Sequence, residues 1–185
     1  MSDAFIPRTD RLHIGVALAV ALVLKTHYSV ATAGELAWIL APTTALVGAA
    51  TGASFVVETQ NGYLSPELNL LIAPVCAGVN FLIAAYCAAA FGLMPLVRRA
   101  GRKWAFLAGA LGAAYVITVA VNAARILIGL RLRDVVPPVE WMTAADLHRA
   151  EGVVVYVSAL CGAFLAARAL MLRAPGGGGG AHGRG

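Results

Sequence analysis

Apolar residues run almost unbroken over positions 12–24 (extending to 33), 36–52, 75–97, 104–130 and 151–172, with short polar stretches between them. Crossing a bilayer takes about 20 mostly apolar residues as a helix. The pattern therefore predicts an all-α polytopic membrane protein with about five transmembrane helices. Pro42 stands inside the second run, where it can kink a membrane helix whose freed carbonyl finds another partner. The stretch 54–73 breaks the pattern with Glu58, Gln60, Asn61-Gly62, Pro66, Glu67 and Asn69. Phe55-Val56-Val57, a turn at Asn61-Gly62 and the run 68–72 predict a small β-hairpin or loop at the surface, just before the third helix.

Composition agrees with this reading. Of 185 residues 60% are hydrophobic and 12% charged, with a mean hydropathy of +0.80; soluble domains are nearer half apolar and a quarter charged. The organisation predicted is one membrane domain over 1–173, with an extracytoplasmic hairpin or loop at 52–74 and an extracytoplasmic loop at 131–150. The remainder, 174–185, carries five consecutive glycines and reads as a disordered tail. Residues 1–11 are mixed in charge, so no cleaved leader is expected there. The net charge of +5 sits in short loops and tails, as membrane orientation requires, and nucleic acid is not expected as a partner. The bilayer is.

Orientation comes from one cluster. Arg98-Arg99-Ala100-Gly101-Arg102-Lys103 has four cations and no anion, which predicts a cytoplasmic loop. By parity, the start of the third helix, the end of the fourth and the loop before the fifth then share the outer side. Charges before residue 36 cancel, so the N-terminus is assigned outside only because two crossings precede the hairpin.

Three chemically capable residues fall at that outer side. Arg125 stands about five residues, or roughly 7–8 Å, inside the end of its helix. An arginine at such depth is costly unless paired or facing water. Tyr115, Thr118, Asn122 and Arg125 are spaced three, four and three apart, which predicts one polar stripe. Simple snorkelling of Arg125 to the interface would not require Thr118 and Asn122 beneath it. Cys76 is expected to head the third helix, where the dipole favours a thiolate, with Gly78 leaving room for a substrate backbone and Asn80 one turn on. Cys87 and Cys161 read as small apolar residues, and three cysteines make poor material for a disulfide framework. His148 is expected just before the fifth helix, with Gly152 one turn later allowing close packing. An imidazole there can shuttle a proton between thiol and amine; Asp146 or Glu151 are the candidates to orient it. His13 and His27 are spaced as haem-holding pairs are, but no matching pair stands on a second helix. Neither a cofactor nor a metal site is expected, and no HExxH, GxSxG or phosphate-loop pattern occurs.

Taken together, Ala73-Pro74-Val75-Cys76-Ala77-Gly78-Val79-Asn80-Phe81, then Asn122-Ala123-Ala124-Arg125-Ile126, then His148-Arg149-Ala150-Glu151-Gly152 resemble the three signature blocks of the exosortase/archaeosortase family, closest to an exosortase K-like branch. The likeness covers roughly residues 52–172, and Ala77 stands where the family often has serine. The resemblance implies a bacterial inner-membrane transpeptidase or peptidase with its active site facing outward. It would act on C-terminal tripartite sorting signals of secreted proteins: a short motif, an apolar span and a basic cluster. Cys76 would be the nucleophile, His148 the acid/base and Arg125 the third catalytic group. The competing reading is a non-catalytic membrane scaffold or carrier, whose Asn/Arg stripe binds a lipid headgroup or small solute.

Overall fold

The computed structural model describes residues 8–58, 60–97, 99–135 and 143–173. The Gly-rich tail and Pro137-Pro138 lie outside them. Five helices occur: α1 (Arg8–Val30), α2 (Ala37–Thr51), α3 (Val79–Gly92), α4 (Ala100–Val135) and α5 (Ala144–Arg173). Three short strands separate α2 from α3: β1 (Val56–Glu58), β2 (Gly62–Ser65) and β3 (Leu70–Ile72).

Among the described residues four stretches, not five, are long and apolar enough to cross a membrane: Asp10–Val30, Pro74–Leu96, Gly101–Arg133 and Asp146–Arg173. The chain is thus a helical protein built to the dimensions of a bilayer. The exception is α2. Its 15 residues give about 22 Å of helix, short of the roughly 30 Å of a hydrocarbon core.

Contacts along the helices explain what α2 does instead. At the start of α1, Asp10 pairs with Lys103 and His13 lies against the Trp104 ring, 4.5 Å between centroids. Near its other end, Lys25 donates to Asn80 at 2.9 Å. So α1 runs parallel to α4, from the basic-loop end of the bundle to the Cys76 end. The next helix begins halfway down, where Tyr115 donates its hydroxyl to the Trp38 carbonyl at 2.7 Å, and it rises back to the sheet. The N-terminal end of α1 consequently shares an end with the basic loop, whereas two crossings before the hairpin would have set it at the Cys76 end.

The predicted hairpin is a three-stranded antiparallel sheet in the order β1-β2-β3, with Val57 opposite Tyr63 and Leu64 opposite Leu71. Gly62 makes this possible. Its φ is +125°, and a Cβ there would stand 2.2 Å from the Ile72 carbonyl oxygen. Arg133 donates to the Leu68 carbonyl at 3.1 Å, and Glu67 accepts from the Ser54 hydroxyl at 2.8 Å, so the sheet is tied to α4 and to the end of α2. A Gly62→Ala chain should strain this junction by about 1–3 kcal/mol. Hydrogen exchange should then show lost protection across 56–72 with the helices unchanged; equal loss in the helices would mean the sheet supports the bundle as a whole.

Two apolar cores fill the molecule. One, at the sheet end, packs Leu36 just before α2 and Ile39, Leu40 and Val47 within it against Ile72, Val119, Ala123 and Ile126. The other packs Ala17 of α1 with Leu82, Tyr86, Ala90 and Met94 against Leu107 and Ala114. Between them α4 is the common wall, which is why its polar stripe faces inward rather than toward lipid.

Candidate functional site

The third membrane stretch is not one continuous helix. Pro74–Cys76 form a 3₁₀ turn, with Pro74 at its start where no N–H is needed. Gly78 then turns left-handed at φ +73°, and α3 begins after it. Cys76 therefore stands three residues before the first residue of its helix rather than heading it. Asn80, in the first turn after Gly78, accepts a hydrogen bond from Lys25 of α1 at 2.9 Å.

Gly78 is held against α4. A Cβ there would meet Asn122 Cγ at 3.2 Å and Thr118 Cγ2 at 3.3 Å. Thr118 and Asn122 are both fully buried. The Thr118 hydroxyl donates to the Ala114 carbonyl at 2.6 Å, which leaves its methyl as packing surface for the turn. The Asn122 amide does more. Its Nδ2 donates to the Cys76 carbonyl, and its Oδ1 accepts from the Tyr156 hydroxyl at 2.8 Å. One buried side chain thereby joins the cysteine turn to α5, with both ends of the amide satisfied.

Arg125 lies one turn further along α4 and is 8% exposed. Its guanidinium carbon sits 5.4 Å from the Tyr156 ring centre, a cation–π arrangement. Its Nη1 is 3.3 Å from His148 Nε2. Gly152 makes that approach possible, because a Cβ there would stand 3.3 Å from the same Nη1. Arginine has donors only, so this contact requires the lone pair on Nε2, and the neutral imidazole carries its proton on Nδ1. That nitrogen faces Glu151, with Oε2 at 3.7 Å. The Glu151 side chain is 4% exposed and neither carboxyl oxygen has a hydrogen-bond partner.

His148 belongs to α5, on its second turn, rather than to the preceding loop. The helix starts early because Thr143 and Asp146 cap each other: the Thr143 hydroxyl donates to Asp146 at 2.6 Å and the Asp146 amide to Thr143 at 3.2 Å. Asp146 is spent on that cap, which leaves Glu151 as the carboxylate beside the imidazole. The His148 side chain stays 53% exposed, so Glu151 and Arg125 form the buried floor beneath an accessible ring.

The site so built is a relay from Cys76 through Asn122, Tyr156 and Arg125 to His148 and Glu151, drawn from three separate segments at one end of the bundle. Among the described residues no hydrogen bond joins the Cys76 thiol to Arg125 or His148; the link runs through the Cys76 carbonyl. Tyr156 is the member the sequence pattern left out, and of the two carboxylates it offered, Glu151 is the one beside the imidazole; both follow from helical spacing. Positions 148, 152 and 156 form one face of α5, and 151 lies beside it. No group of three or more metal-ligating side chains occurs among the described residues. Cys87 and Cys161 stand apart from the relay, as apolar-run cysteines do.

Removing the unpartnered carboxyl gives a direct check on its role. Glu151→Gln keeps the side chain's shape and removes only the charge beside the buried Arg125, so it should cost stability, but less than removal of the arginine itself. Nitrogen NMR of labelled His148 should meanwhile show the Nδ1–H tautomer losing its dominance. A large fall in melting temperature with the tautomer unmoved would make Glu151 a packing element only.

No protein-family model, curated protein or solved structure matches the chain.

Proposed function

We propose that the chain is an exosortase-like membrane cysteine transpeptidase or peptidase, which cleaves C-terminal sorting signals at the outer face of the bacterial inner membrane. One observation carries the reading more than any other. A nearly buried arginine meets an accessible imidazole over a buried carboxyl, at the end of the bundle where a cysteine turn is held by Asn122 of the same stripe.

The chemistry assigned is thioester exchange. His148 takes the proton of the Cys76 thiol; the thiolate attacks the scissile carbonyl carbon and forms a C–S bond, the C–N bond breaks, and His148 returns that proton to the leaving amine. An incoming amine or water then attacks the thioester, gives its proton to His148, and releases the thiolate. Arg125, cationic throughout, stabilises the charge that gathers on the carbonyl oxygen. Catalytic contacts are commonly looser before substrate arrives, and a peptide entering between thiol and imidazole supplies the link absent at rest. A substrate anchored by its own apolar span would present its motif at this end of the bundle.

The test uses thiol chemistry. In a Cys87→Ser/Cys161→Ser background, alkylating the remaining Cys76 should stop processing of a co-expressed protein bearing a tripartite tail. His148→Ala should slow processing about 10²–10⁴-fold. Undiminished processing after complete alkylation removes the proposal. The lack of a hydrogen bond to the thiol favours one other reading, a carrier that holds an anionic headgroup on Arg125 and His148. That reading expects alkylation to be silent and Arg125→Lys to be tolerated.

A further inference from the structure

A cleft opens between α3, α4 and α5 in the basic half of the bundle, well away from the cysteine turn. Its volume is about 290 Å³ and its walls are apolar, among them Ala89, Leu93, Phe106, Gly109, Ala113 and Phe164. Small residues on all three helices create it, because no side chain projects far enough to fill the gap. Gly109 and Ala113 lie on the exposed surface of α4, so the cleft faces the surrounding lipid.

Its dimensions select the occupant. Along α4 it extends from Phe106 to Ile117, about 16 Å at the rise of a helix. That is close to one leaflet's share, about 15 Å, of a hydrocarbon core. A helix of this length and about 10 Å in diameter would occupy on the order of 1,200 Å³, more than the cleft holds. The cleft is one hydrocarbon chain wide.

Charge at its end selects the headgroup. Arg102 stands one turn before Phe106 on the same face of α4, and Arg168 follows the lining residue Ala167 on α5. Both are exposed, and among the described residues neither pairs with a carboxylate. Lys103, the cation on the neighbouring face, is already matched by Asp10. Two unmatched arginines thus flank the polar end of an apolar slot one leaflet deep.

We infer that this cleft is a lipid site: it holds one acyl chain of an anionic glycerophospholipid, whose phosphate sits between Arg102 and Arg168. The slot excludes a partner helix by size, and the arginines prefer a net-negative headgroup to a zwitterionic one. Because α4 and α5 carry the relay and the cysteine turn leads into α3, the bound chain fills the gap between these helices without touching Cys76 or His148.

Native mass spectrometry of the purified full chain tests this, using equimolar phosphatidylglycerol and phosphatidylcholine of matched chains. Each interfacial arginine is expected to contribute about fivefold, so phosphatidylglycerol should be retained at least fivefold over phosphatidylcholine. Arg102→Gln/Arg168→Gln, at two exposed positions, should bring the ratio near one. Arg131→Gln, at the opposite end, should leave it unchanged. Ala113→Phe, which fills the slot from an exposed position, should remove retention of both lipids. An unchanged ratio in the double arginine variant overturns the inference. So does full retention in a folded Ala113→Phe chain, or a dimer that this variant dissociates, which would make the cleft a contact between copies.

Discussion

A Cys76→Ala chain should reach the membrane folded and leave a tripartite-tailed substrate uncleaved, a loss of at least ~10³-fold in rate. The two halves of that expectation have separate grounds. Folding should survive because the turn is held through backbone: the Cys76 amide donates to Ala73, its carbonyl accepts from Asn122, and Gly78 supplies the left-handed residue. None of these uses the sulfur. Activity should vanish because the remaining members have no substitute for a thiolate: Arg125 is never deprotonated, and the Tyr156 hydroxyl is committed to Asn122. Residual cleavage by water activated through His148 alone would be slow. Cleavage near the wild-type rate would mean that Cys76 is only a small side chain at a crowded turn.

The second large effect concerns Arg125. Replacing it with leucine should cost about 3–5 kcal/mol of stability, the range for removing one member of a buried charged cluster. The guanidinium is the only cation described as lying between the Tyr156 ring, His148 Nε2 and the buried Glu151 carboxyl. Arg125→Lys separates structure from chemistry. An ammonium keeps the charge beside Glu151, so much of the stability should return. It lacks the flat fork that covers Tyr156 while reaching His148, and processing should stay at least ~10²-fold below wild type. Full activity in the lysine variant would assign Arg125 a purely electrostatic place and favour the carrier reading.

How much of this was legible beforehand depends on which physical signal each element leaves in the chain. The α4 stripe was readable because Thr118, Asn122 and Arg125 are rare residue types at helical spacing within an apolar segment. The gathering of Cys76, Arg125 and His148 at one end followed from parity about Arg98–Lys103. What failed was local. Gly78 reads as a small residue in a helix, and only its positive φ reveals the break between the cysteine turn and α3. The length of the 36–52 run was already short of a crossing, yet its uniform hydrophobicity outweighed the count. The strand Gly62–Ser65 went unread because it follows the Asn61-Gly62 turn at once and only Tyr63 and Leu64 in it are apolar. Thr143 and Asp146 form a helix-start signature that places His148 inside α5, but Pro137-Pro138 drew the whole segment toward a loop. Tyr156 left no trace as a single aromatic among valines; its meaning depends on Asn122 and Arg125 across the bundle, and such pairings are not local properties of sequence.

Sharpest of all is the covalent intermediate. Wild-type chain incubated with a tripartite-tailed substrate, quenched in acid and digested, should yield a peptide from around residue 76 carrying a substrate fragment in hydroxylamine-labile linkage to Cys76. That adduct should be strongly reduced in His148→Ala, where the leaving amine lacks its proton donor, and be absent from Cys76→Ala. Substrate turned over by the wild-type chain with Cys76 unmodified would contradict the account at its centre.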